Sequence, residues 1–177
     1  MSALKQKKKV LRLKVVKSYF PGKRMAWRNG MNAKEASLRY LSYKDRTKYE
    51  IKRHLERKGY TEDDISRAIE FLEECNFVND EDYCVRYIKY GIEKGRGPIR
   101  LEFELKQRGI DIDTIYSKLN ATYSEDKERE SAQRLIDKYI EQADKQIDSK
   151  ELAKIGRRLA TNGYRSSLIY DLLSKYR

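Results

Sequence analysis

The side chains that ordinarily carry out chemistry are few in this chain, and they do not converge. There is one histidine, His54, set among cations in Lys52-Arg53-His54. A single imidazole supports neither a zinc-ligand cluster nor a triad built on a histidine base, so a surface or packing role is expected. Cys75 and Cys84 stand nine residues apart without partners at metal-ligand spacing, which argues against zinc. Carboxylates gather at Glu73-Glu74 and at Asp80-Glu81-Asp82. Consecutive residues on a helix do not point at one ion, however, and acids at a helix start are explained by the positive end of its dipole. Gly95-Arg96-Gly97-Pro98 loosely resembles a phosphate-cradling turn, but it lacks a terminal Gly-Lys-Ser/Thr and a preceding strand. No enzyme, metal or cofactor is expected.

The remaining chemistry is that of charge. The chain carries a formal net charge of +12. Residues 1–30 hold ten Lys/Arg and no acid, whereas 31–78 and 79–123 are each balanced and 124–177 has a surplus of two. A basic arm of this kind points to a polyanion, most often nucleic acid. Lys7, Lys8, Lys9, Arg12 and Lys14 are its expected contact residues. Within the balanced body, three stretches are basic: 44–58 at +4, 94–108 at +3 and 150–165 at +4. Cations near helix ends are accounted for by the dipole. Lys44, Arg46, Lys48, Lys94, Arg96 and Arg100 flank helix starts, where cations are disfavoured, and so are expected to be spare for binding. Arg53, Lys154, Arg157 and Arg158 complete the expected partner-binding or nucleic-acid-binding set.

The elements that hold these cations repeat. Ile51, Leu55, Gly59 and Tyr60 have the spacing of Leu101, Leu105, Gly109 and Ile110, and of Ile155, Leu159, Gly163 and Tyr164. Six residues beyond each glycine stands Ile65, Ile115 or Ile169; ten beyond stands Ile69, Leu119 or Leu173. Three copies of one register define an internal repeat. The predicted organisation is a basic arm over 1–30 and three-helix repeats over 31–78, 79–123 and 124–177. In the arm, Val10 to Val16 alternates with the period of a half-buried strand before Pro21-Gly22 turns the chain, and Trp27 is expected to be buried.

Local signals place the nine helices. Asn32 caps the first, which runs to about Tyr43 with Ala36, Tyr40 and Tyr43 at helical spacing. Thr47 and Glu50 form a capping box for the second, which ends at Gly59. Thr61 opens the third, and Asn79 with its acids opens the fourth, on which Tyr83, Tyr87 and Tyr90 join Val85 and Ile88. Pro98 suits a first helical turn. Asp111 or Asp113 caps the next helix, through Leu119. The seventh spans about Ser124 to Ala143, Ser149 caps the eighth to Thr161, and the ninth runs from about Ser166 to Tyr176. The fold class expected is all-α, a short curved solenoid of three tandem three-helix repeats.

Several of these stretches resemble the RecX family of bacterial regulatory proteins. They are Ala36-Ser37-Leu38-Arg39-Tyr40-Leu41, Tyr49 to Tyr60, and Phe77-Val78-Asn79-Asp80-Glu81-Asp82-Tyr83. The most specific is Gly95-Arg96-Gly97-Pro98-Ile99-Arg100-Leu101, followed by Glu104-Leu105 and Arg108-Gly109-Ile110. Tyr83-Cys84 departs from the Phe-Ala more usual in the family. The resemblance covers residues from about 33 to 177 and implies three tandem three-helix repeats. It also implies binding to the RecA recombinase and its nucleoprotein filament, with restraint of RecA's ATPase, strand-exchange and coprotease activities in DNA repair, recombination and the SOS response. Binding to DNA itself is a further implication.

Two functions are therefore expected to compete: a non-catalytic modulator of RecA filaments, and a direct DNA- or RNA-binding helical protein acting without RecA. A helical scaffold with a merely solubilising arm is disfavoured by the charge of residues 1–30. No apolar run approaches the roughly 20 residues of a membrane helix, and the N-terminus lacks an apolar signal region. A cytoplasmic monomer with reduced thiols is the expectation.

Overall fold

A computed structural model describes residues 31–141 and 148–176; the strand expected at Val10 to Val16, the burial of Trp27 and the contacts of the arm lie outside them. The described residues form helices and no strand. In order these are α1 (Ala33–Tyr43), α2 (Lys48–Glu56), α3 (Glu62–Glu74), α4 (Asp80–Glu93), α5 (Pro98–Lys106), α6 (Ile112–Thr122), α7 (Glu125–Glu141), α8 (Ser149–Thr161) and α9 (Ser166–Ser174). They fall into two compact units, Met1–Tyr83 and Cys84–Arg177, the division lying within α4. Repeat two from Cys84 onward thus shares a unit with repeat three.

Most helix starts follow from side-chain caps. Asn32 accepts the Glu35 N–H at 2.9 Å while the Glu35 carboxylate accepts the Asn32 N–H at 3.3 Å. Thr47 and Glu50 repeat this reciprocal pairing at 3.1 and 3.2 Å, each box satisfying two of the N–H groups that a helix leaves without partners. Thr61, Asn79 and Asp111 accept from Asp64, Asp82 and Thr114. At α8 the cap is Asp148, which accepts the Glu151 N–H at 2.8 Å, and Ser149 is the first helical residue. The expectation for Ser149 is corrected by one position. α5 starts at Gly97-Pro98 without a side-chain cap.

The three repeat glycines end α2, α5 and α8 identically. Gly59, Gly109 and Gly163 adopt φ of +82°, +70° and +86°. The following residue donates back to the carbonyl of the second repeat leucine: Tyr60 to Leu55, Ile110 to Leu105 and Tyr164 to Leu159. This is a Schellman turn, whose left-handed residue glycine adopts without a Cβ clash.

The core of the first unit joins Leu38, Leu41, Ile51, Leu55, Ile65, Ala68 and Leu72 with Phe77 and Val78. In the second unit Ile88, Leu101, Leu105, Ile115 and Leu119 are buried, as is a cluster of Ala132, Ile136, Ile155, Leu159, Tyr164, Ile169 and Leu172. Ten residues beyond the glycine only Leu119 is buried, with Ile69 and Leu173 half-buried at the edge of their cores. On α4 the buried stripe is Cys84, Ile88 and Gly91; Tyr83 and Tyr87 are half-buried and Tyr90 is exposed. Gly91 is the reason one helix can lie so close to the next, since a Cβ there would stand 2.2 Å from Leu101 Cδ2.

Candidate interaction surface on the middle helices

The cations of α2 are positioned by its cap and by neighbouring rings. The Arg46 guanidinium lies 4.1 Å from the Tyr40 ring centroid and pairs with Glu50 at 3.7 Å, leaving its side chain 15% exposed. Tyr40 in turn stacks on His54, the ring centroids 3.9 Å apart. Burial, followed by the charges of Lys58, Arg57 and Arg46, holds the His54 imidazole below its ordinary range. His54 is therefore a neutral packing residue at physiological pH. Lys48 pairs with Glu73 at 2.9 Å, and that hydrogen bond raises its pKa. Its backbone N–H donates to Asp80 Oδ1 at 3.0 Å. Burial is the main influence pushing the Asp80 carboxyl up, against the opposing Lys48 N–H and charge. Arg53 donates to the Tyr49 hydroxyl at 3.0 Å, and both remain exposed. Lys44 is exposed.

In the second unit the glycine-rich turn is a joint between repeats. Gly95, at φ +69°, closes α4. Gly97 donates its N–H to the Asn162 carbonyl at 2.7 Å, and Ile99 donates to the Gly163 carbonyl at 3.1 Å. The start of α5 thus sits directly on the turn between α8 and α9. Beside this joint Glu104 gathers three donors. Arg96 Nη1 and the Tyr87 hydroxyl each reach Glu104 Oε2 at 2.7 Å, and Arg100 Nε reaches Oε1 at 3.0 Å. Arg100 also donates to Asn162 Oδ1 at 3.3 Å, and Arg108 lies 4.5 Å from the Tyr87 ring centroid. Burial alone would raise the Glu104 pKa; the Tyr87 hydroxyl, Arg100 and Arg96 together more than offset it, and the net shift is downward.

The expectation that Arg96 and Arg100 are spare is therefore corrected. Glu104 neutralises both, as Glu50 does Arg46 and Glu73 does Lys48, each carboxylate lying later in the chain than the helix start its cation flanks. Lys94 is exposed, with its ammonium 5.7 Å from the Tyr90 ring. On α8, Lys154 pairs with Glu151 at 3.4 Å, Arg158 lies 4.8 Å from the Tyr139 ring, and Arg157 is exposed. Among the described residues, Lys44 and Arg53 in the first unit, and Lys94, Lys154, Arg157 and Arg158 in the second, are the exposed cations of the expected set.

Sequence reasoning missed Ile99 and Phe103, which are 53% and 60% exposed on one face of α5. Their signal was available: they fall two residues before Leu101 and Leu105, off the buried stripe of the repeat. It also missed a buried polar group behind the joint. The Tyr123 hydroxyl donates to the Arg96 carbonyl at 3.2 Å, and Ser131 and Tyr164 share a hydrogen bond of 2.9 Å. Burial pushes both phenols up. Glu128, 2% exposed, accepts from Arg165 Nε at 2.9 Å. Among the described residues, no helix is long and apolar enough to cross a membrane.

Tandem three-helix units closed by Schellman turns, with cation-bearing middle helices, define a helical-repeat protein. Family models described as the first and second three-helix domains of RecX match residues 33–72 and 79–117. The regulatory protein RecX of Clostridium botulinum (strain Eklund 17B / Type B) is 31% identical over 147 residues, covering 82% of this chain and 68% of that protein. That of Mycolicibacterium smegmatis is 30% identical over 147 residues, covering 80% and 78%. The crystal structure of RecX from Lactobacillus salivarius superposes with a TM-score of 0.71 at 26% identity, covering 81% of this chain and 94% of that one. The chain belongs to the RecX family of regulatory proteins.

Proposed function

We propose that the protein is a non-catalytic regulator that binds the RecA recombinase and its DNA filament and restrains RecA's ATPase, strand-exchange and coprotease activities. The observation that carries this reading is the likeness to proteins named as RecX regulators over some four fifths of the chain. The solvent-facing cations Lys44, Arg53, Lys94, Lys154, Arg157 and Arg158 support it, because a protein–DNA filament presents phosphates and carboxylates for such groups to meet. Titration into a DNA-dependent RecA ATPase reaction, with strand exchange in parallel, tests it. Both rates should fall with added protein; rates unchanged at saturation would sink the proposal.

A second reading, direct nucleic-acid binding without RecA, is favoured by the +10 charge of residues 1–30 and by exposed Tyr43 and Tyr49, the latter beside Arg53. Aromatic rings next to cations suit stacking on single-stranded bases. Salt separates the two. A phosphate binder loses affinity with a log–log slope near 0.9 per phosphate neutralised on duplex DNA.

A further inference from the structure

The three repeats treat one cleft differently. Seven residues before and three after the repeat glycine stand Lys52 and Glu62 in repeat one, Glu102 and Ile112 in repeat two, and Gly156 and Ser166 in repeat three. In repeat one Lys52 and Glu62 form an ion pair across the cleft. In repeat two Glu102 spans it instead, accepting from the Tyr116 hydroxyl at 3.2 Å and from Lys106 at 2.6 Å. In repeat three the corresponding residue is a glycine in the interior of α8, where glycine weakens a helix. What it provides is space. A Cβ there would already stand 3.3 Å from Leu173 Cδ1 and 3.8 Å from Ile169 Cγ2.

The result is an open groove of about 340 Å³ between α8 and α9, lined by Gly156, Ala160, Ser166, Ile169, Leu173 and Tyr170, with Arg157 on its rim. Tyr170, at the register position of Tyr116, is 64% exposed. The charged side chain that lines the groove is the exposed Arg157, and the Asp171 carboxylate of α9 is paired with Arg129 at 2.6 Å. An apolar floor beneath a cationic rim selects a ligand that is apolar at its tip and acidic at its flanks. The volume of the groove lies at the lower end of the range of ligand pockets, about 300–1,000 Å³.

We propose that the groove between α8 and α9 of repeat three is a docking site for an acidic segment of a partner protein, which inserts one aromatic or leucine side chain over Gly156 and sets its carboxylates against Arg157. Charge disfavours the chain's own residues 1–30 as the occupant, since they carry ten cations and no acid. The inference goes beyond the regulatory reading above, because it specifies a surface and a ligand chemistry and holds whichever protein supplies the segment.

Fluorescence anisotropy on the full chain tests this with three labelled peptides: tryptophan flanked by glutamates, the same with lysines for glutamates, and the same with alanine for tryptophan. Only the first should bind. Gly156→Lys combined with Ser166→Glu recreates the Lys52–Glu62 bridge of repeat one and should weaken binding about tenfold or more, the scale of losing an anchor pocket. Arg157→Glu should weaken it as well. Helicity and the urea midpoint of the double variant should match or exceed those of the parent. Should that variant fail to fold, amide shifts decide: changes at Gly156, Ile169 and Leu173 when the glutamate peptide is added to the parent support the site, and changes confined elsewhere overturn it. Absence of binding, equal affinity for the lysine peptide, or equal affinity in the double variant overturns it too. So does self-association abolished by the double variant, or peptide binding that requires removal of residues 1–30. No RecA enters these measurements, so failure of the groove and failure of the RecA reading are told apart.

Discussion

The backbone of Gly97 lies against that of Gly163: a Cβ on Gly97 would stand 2.2 Å from the Gly163 carbonyl oxygen, which also accepts the Ile99 N–H. The Gly-Arg-Gly-Pro turn is accordingly built for contact between two stretches of backbone. The N–H groups that a phosphate would need are engaged, Gly97 with Asn162 and Ile99 with Gly163.

Gly97 has φ of −77°, which alanine adopts freely, so Gly97→Ala isolates the steric cost. The obstacle is backbone, and a loss of about 1–3 kcal/mol or more is expected. Gly59 is the opposite case, with open space around it but φ of +82°. Gly59→Ala should cost only the left-handed penalty, about 1–2 kcal/mol. Gly163→Ala incurs both and should be the most damaging, because its Cβ would also stand 2.4 Å from Arg100 Cβ. Urea denaturation followed by circular dichroism ranks the three.

Glu104→Gln should destabilise the second unit by about 1–3 kcal/mol, since Arg96 and Arg100 lose their carboxylate together. The effect has a pH signature. The folded-state pKa of Glu104 is depressed, so its contribution is present above the ordinary carboxylate range and is lost as pH falls through the folded value. Wild type and variant should converge in strong acid. Alanine at Arg96 and at Arg100 should each lower the urea midpoint, with the pair non-additive because both act through Glu104.

Asp80 titrates with the opposite sign. Burial raises its folded-state pKa, so its contribution to stability is present below the unfolded value and lost as pH rises through the folded one. Asparagine keeps an oxygen for the Lys48 N–H and removes the buried charge. Asp80→Asn should therefore match or exceed the wild-type urea midpoint at pH 7, and its advantage should vanish on acidification. A lower midpoint at neutral pH would show that the pairing of Asp80 with the start of α2 outweighs its desolvation.

Lys44→Glu, Arg53→Glu and Lys154→Glu change solvent-facing side chains and should each move stability by no more than about 0.5 kcal/mol. If the proposed function holds, the triple variant should need several-fold more protein to half-inhibit the RecA ATPase. Unfolding midpoints and the ATPase titration, measured on the same preparations, separate loss of binding from loss of fold.

What the linear sequence determined is whatever depends on residues within a turn or two of each other. The capping pairs Asn32–Glu35 and Thr47–Glu50 span three residues. Each Schellman turn is closed by five, so a glycine at fixed distance from two apolar residues was enough to find all three. The cationic character of the middle helices was equally legible. Which cations are available to a partner was not. Arg100 and Glu104 are one turn apart, but Tyr87, Arg96 and Asn162 reach the same cluster only because α4, α5 and the turn after α8 pack together. The same holds for Gly97, whose need to be glycine arises from the backbone of Gly163, 66 residues away. A side chain's charge is a property of its residue. Its partner, its burial and hence its availability belong to the packed fold, because electrostatic and steric terms act through space and ignore separation along the chain.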